Sequence, residues 1–118
     1  MIIQFDDRLL THLQIVIIQK LRRGESFLMS WKDSSDVGGG RSAIWLHPVQ
    51  ALYFKFFGSR VATINPQWLE TLTASANGSR GLIVTEEFDK SNGQAPPVAQ
   101  AKSVRRTDGP SFTKADDK

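Results

Sequence analysis

The chain has no cysteine, and that absence removes disulfide bridges, thiolate metal sites and thiol nucleophiles together. Histidine is nearly as scarce. Only His12 and His47 occur, with no second ligand at a metal-binding spacing, so no metal site is expected. Long apolar runs are missing too: the longest, Ile15-Val16-Ile17-Ile18, falls far short of the about 20 residues a membrane helix needs. Asp6 and Asp7 stand near the N-terminus, where a signal peptide would carry basic residues. These absences predict a soluble cytoplasmic protein with no membrane partner.

A dense basic segment is also lacking, although the net charge of +3 invites a nucleic-acid reading. Residues 1–88 hold nine basic groups against eight acids, and residues 89–118 hold six against four. Neither part has the composition of a dedicated DNA binder. A cationic site would have to come from clustering in space.

What the chain does contain is a sequence of well-marked elements. Residues 1–5 are apolar and β-branched enough for a strand. Asp6 is a good N-cap, and Leu10, Leu13, Val16, Ile17 and Leu21 recur at helical spacing up to Lys20, Arg22 and Arg23, with Gly24 as the left-handed terminator. Two alternating runs follow, 26–31 and 42–47, each carrying a tryptophan, with a polar tip between them that holds Gly38, Gly39, Gly40 and Arg41. They predict a hairpin from Ser26 to His47, ended by Pro48. The alternation of Leu52, Phe54 and Phe56 with Tyr53, Lys55 and Phe57 predicts a third strand, and residues 60–64 a short fourth or an extended connection. Asn65-Pro66 starts a second helix, Asn77-Gly78 ends it, and residues 81–85 read as a last strand.

The expected fold is therefore α+β, with a mainly antiparallel sheet covered on one face by two helices. A chain of 118 residues allows one small domain. We place it in residues 1–87. From residue 88 onward apolar periodicity gives way to prolines, glycines and scattered charges, which predicts a disordered tail.

Few residues suggest chemistry. His12 lies within the first helix and reads as a packing or surface histidine. His47, at a strand end beside Trp45, is the better candidate for binding or proton transfer, but no carboxylate partner accompanies it. Gly38 to Gly40 with Arg41 could approach a phosphate, although the lysine and serine or threonine of a P-loop are missing and no helix follows. Trp31, Trp45 and Tyr53 could stack on bases with Arg41, Lys55 and Arg60 on phosphates; equally, tryptophans at alternating strand positions pack in cores.

The strings Phe5-Asp6-Asp7-Arg8, His12-Leu13-Gln14, Lys20-Leu21-Arg22-Arg23-Gly24-Glu25-Ser26, Ser30-Trp31, Gly40-Arg41-Ser42, Ile44-Trp45-Leu46-His47-Pro48 and Tyr53-Phe54-Lys55 carry a resemblance. The chain resembles small stand-alone actinobacterial proteins that go by the name ATP-dependent DNA ligase, a domain of unknown function. The likeness spans about residues 3–85, including Asn65 and Trp68 to Leu72. The name implies adenylation of a lysine, transfer of AMP to a DNA 5′-phosphate, and sealing with magnesium. That chemistry needs a Lys-x-Asp-Gly setting. The nearest string here, Arg106-Thr107-Asp108-Gly109, has arginine in the nucleophile position. About 85 ordered residues are also too few for a nucleotidyltransferase core with a DNA-binding module.

The resulting expectation is a non-catalytic accessory module that binds nucleic acid or a DNA-processing partner. Its contacts would be Arg41, Trp31, Trp45, His47, Tyr53, Lys55 and Arg60. ATP and magnesium enter only if the ligase name describes the activity. The alternatives are a ligase subunit completed by another chain, and an interaction adaptor or homodimer with no nucleic-acid role.

Overall fold

The structure, a computed structural model, describes residues 2–34, 38–87 and 98–104. Seven elements follow in chain order: β1 Ile2–Gln4, α1 Asp7–Arg22, β2 Phe27–Asp33, β3 Arg41–Leu46, α2 Pro66–Ala76, β4 Leu82–Ile83 and β5 Gln100–Val104.

Both helices begin and end where their capping residues stand. Asp6 Oδ1 accepts the Leu9 amide at 2.8 Å, and Gly24, at φ +76°, turns the chain out of α1. Asn65 Oδ1 accepts the amides of Gln67 and Trp68 at 3.1 and 3.2 Å, with Pro66 in the first turn, where no amide hydrogen is needed.

β2 is the centre of the sheet. β3 runs antiparallel along one edge, from Phe27 opposite Leu46 to Lys32 opposite Arg41. Along the other edge lie two parallel partners in succession, β4 beside Met29 and Ser30 and β5 beside Lys32 and Asp33. β1 closes the order antiparallel to β5. The α+β architecture is as expected, but the sheet is mixed, because the chain returns from α2 running in the direction of β2.

One core lies under the Phe27, Met29 and Trp31 face of β2. Leu9, Leu13, Val16 and Ile17 of α1 fill it together with Trp68, Leu72 and Ala76 of α2. Trp31 is 1% exposed and meets the Phe5 ring edge-on, centroids 6.0 Å apart.

Two expectations need correction. Residues 52–57 form no strand, whereas residues 60–64, for which a connection is one of the two expected alternatives, are a connection. Pro48 ends β3, and the carboxylate of Asp7 accepts the amides of Phe57 and Gly58 at 2.9 and 2.8 Å, which draws this segment to the start of α1 and away from the edge of β3. Within the expected tail, residues 98–104 join the sheet: Ala99 and Ala101 are buried, and Lys32 and Ser34 donate to their carbonyls at 3.0 and 3.1 Å. This correction concerns those seven residues; the rest of the expected tail, 88–97 and 105–118, lies outside the described residues.

Candidate nucleic-acid interface

Because side chains alternate along a strand, the register that buries Phe27, Met29 and Trp31 sends Leu28, Ser30 and Lys32 to the opposite face. On β3 the residues facing them are Trp45, Ala43 and Arg41, in that order. The Asp33 amide donates to Gly40 at 2.7 Å, which makes 33 and 40 a hydrogen-bonded pair. The pairs 32 with 41, 30 with 43 and 28 with 45 are then the non-bonded ones, whose side chains stand closest, with Cα atoms roughly 4.5 Å apart.

The outer face therefore grades along its length. At one end Leu28 and Trp45 form an exposed apolar pair, the indole 56% exposed. Ser30 and Ala43 leave a shallow middle. At the other end Lys32 and Arg41 stand directly opposite each other, both exposed, with no carboxylate paired to either among the described residues. Like charges directly opposite on a sheet are destabilising, so this pair does nothing to hold the hairpin together. Arg41 and Trp45 stand four positions apart along the strand, about 14 Å at the usual rise.

The predicted site residues divide. Arg41 and Trp45 share the outer face, and Lys32, which the sequence reading did not single out, completes their group. Trp31 is a core residue, so its place as a stacking platform is corrected. His47 is exposed at the end of β3, where its Nδ1 accepts the Val49 amide at 3.2 Å and its own amide donates to Gln50 Oε1 at 2.7 Å. It organises the turn, and no described carboxylate touches it. Tyr53, 85% exposed, Lys55 and Arg60 lie on the connection after β3 and not on the sheet.

The glycine tip is a poor phosphate cradle. Asp33 Oδ2 lies 3.8 Å from where a Gly40 side chain would begin, and the Asp33 carboxylate accepts the Ser42 hydroxyl at 2.8 to 2.9 Å. An anion seated there would meet a negative charge.

Two further features escaped the sequence reading. Arg8 binds Glu87 through Nε and Nη2, both at 2.7 Å, and donates from Nη1 to the Thr63 carbonyl. Glu87 also accepts Asn65 Nδ2 at 2.7 Å, and the Arg8 hydrogen bonds, then that of Asn65, lower its pKa to about 2. His12, fully buried, lies against the Trp68 ring with centroids 4.5 Å apart and planes tilted by 34°. Residues 79 apart leave no local signal of such a network. The second feature is a cavity of about 690 Å³ between α1, β1, the inner side of β3 and residues 51–57, lined by Leu13, Ile44, Leu46, Leu52 and Phe54 among others. Among the described residues no cluster of three or more histidines or carboxylates could hold a metal ion.

Residues 1–87 match the model of a family described as Domain of unknown function (DUF7882). The chain belongs to that family. No curated protein and no solved structure matches it. The DUF7882 match takes in the whole outer face of the hairpin and both ends of the Arg8 to Glu87 pair, whereas β5 lies beyond it.

Proposed function

We propose that this DUF7882 protein is a non-catalytic module that binds single-stranded nucleic acid along the open face of the β2–β3 hairpin. The observation that supports the reading is the grouping of an exposed Trp45 with Lys32 and Arg41 on one face, where the two cations have no described carboxylate partner. Trp45 offers a stacking surface to a base, and the cations take the phosphates that follow along the strand. The small Ser30 and Ala43 leave room for the sugar backbone between them.

The resemblance to ligase-named proteins supports a DNA setting in the cytoplasm. The missing Lys-x-Asp-Gly string supports an accessory role beside a DNA-processing partner rather than ligation by this chain.

A titration with an oligothymidylate tests the reading. Trp31 and Trp68 are buried, so quenching of the exposed tryptophan's emission reports on Trp45. Binding should weaken with salt; Arg41→Ala should reduce the slope of log K against log salt by about 0.7, the value for one single-strand phosphate contact. Trp45→Ala should cost about 1–3 kcal/mol of affinity. Unchanged emission together with no salt-dependent binding would refute the proposal.

A further inference from the structure

In an antiparallel pair, successive residues point their backbone N–H and C=O groups alternately toward the partner strand and away from it. The bond from the Asp33 amide to Gly40 and the register of the hairpin turn Gly40, Ser42, Ile44 and Leu46 toward β2. Arg41, Ala43 and Trp45 therefore present their backbone groups to the outside. All three residues are exposed, and no other strand pairs with this edge among the described residues. An open edge of this kind is a template for another strand.

The sequence that continues from this edge is also rich in exposed apolar side chains: among the described residues, six of the ten large exposed hydrophobics fall between Trp45 and Val61, with Trp45 itself on the strand.

We propose that the partner is a second copy of this chain, with β3 pairing antiparallel to β3 about a two-fold axis at Ala43. That register is the one in which all three outward residues find outward residues opposite: Ala43 meets Ala43, and each Arg41 meets the other copy's Trp45. Every outward amide and carbonyl of the edge is then hydrogen-bonded. The guanidinium comes to lie beside an indole face, an attractive pairing, instead of beside a second guanidinium. The smallest side chain of the three sits on the axis. The interface is isologous, as a closed dimer requires. This inference does not rest on the nucleic-acid reading, and its test contains no nucleic acid.

The absence of cysteine makes the register directly measurable. Paired Cα atoms at the axis would be about 5.5 Å apart, within disulfide range. Ala43→Cys should therefore cross-link into a covalent dimer under mild oxidation. Arg41→Cys should not, because its two copies would stand about 14 Å apart along the strands. Sedimentation equilibrium of the unmodified chain should give a concentration-dependent approach to twice the 13.2 kDa mass. Ala43→Pro should shift it to the monomer, because it removes an amide that points outward and takes no part in the pairing with β2. A monomer at every concentration overturns the proposal. So does a dimer that cross-links equally well through Arg41→Cys or through neither position. Should Ala43→Pro fail to fold, the two cysteine variants still decide.

Discussion

His12 Nε2 accepts the backbone amide of Asn65 at 2.9 Å, so the first helix holds the residue that starts the second. The Nδ1 atom lies 2.7 Å from the Arg8 carbonyl, which can only accept, so Nδ1 carries the proton and Nε2 is free to accept. A buried imidazole with both nitrogens bonded is a structural part of the fold. His12→Leu keeps most of the volume and strands the Asn65 amide, which should cost about 1–3 kcal/mol. His12→Ala adds a cavity beneath Trp68 and should cost more, about 2–5 kcal/mol. Urea unfolding measures both, and a leucine variant as stable as the parent would remove this role.

The neighbouring pair gives a pH dependence with a definite sign. Glu87 has its pKa lowered from 4.5 to about 2, chiefly by the Arg8 hydrogen bonds and next by Asn65. A carboxyl depressed in the folded state contributes stability above its unfolded value and loses that contribution as pH falls through the folded one. The loss should therefore run from about pH 4.5 down to about 2. Both side chains are more than one-third exposed, so solvent screening keeps the effect small. Thermal midpoints of the parent should fall more steeply across this window than those of Glu87→Gln. Parallel curves would show that the pair contributes nothing.

Gly81 marks where β4 comes against β2. It has φ +81°, and a Cβ there would run into the carbonyl oxygen of Leu28, a backbone atom of the central strand that cannot swing aside. Gly24 has a similar φ of +76° with open space around it. The two glycines thus separate conformational strain from collision. Gly24→Ala should cost about 1 kcal/mol, from the left-handed backbone alone. Gly81→Ala should cost at least about 1–3 kcal/mol more, from overpacking. Equal losses in equilibrium unfolding would mean that the approach of β4 to β2 is loose.

Those elements whose signal is local were legible in the sequence. Asp6, Gly24 and Asn65-Pro66 mark helix ends through bonds made within a few residues, and the hairpin shows in its own alternation. β5 was not legible, because Ala99 and Ala101 are small and the stretch around them has no apolar run. Its strand character comes from β1 and β2 on either side. The alternation at 52–57 misled for the opposite reason. It reflects which side chains cover the core, and a segment can cover a core without a ladder. Arg41 and Trp45 were legible as candidates, but alternation alone could not separate Trp31 from Trp45. That depends on the hairpin register: Trp31 faces Ser42, which puts Trp45 beside Leu28 on the outer face. Lys32 and Glu87 acquire their roles only from partners that the fold brings to them.

The connection after β3 is held chiefly at its end. Asp7 takes the amides of Phe57 and Gly58 on its two carboxylate oxygens, and residues 51–56 make no backbone hydrogen bond among the described residues. Leu52 and Phe54 line the cavity, and one carboxylate at the start of α1 ties this strap down at its end. Asp7→Ala removes both acceptors and the favourable charge at the helix N-terminus. Charge-assisted bonds at an exposed site are worth about 1.5 kcal/mol, so opening of residues 51–58 should become about tenfold more frequent. Amide hydrogen exchange at Phe57 and Gly58 should quicken by that factor, and chymotrypsin should cut sooner at Tyr53 and Phe57. Core amides of α1 near Leu13 should exchange as before. Asp7→Asn keeps one acceptor oxygen and should fall between the two. If exchange and cleavage are the same in all three proteins, Asp7 does not hold the strap, and packing of Leu52 and Phe54 along the cavity must be what does.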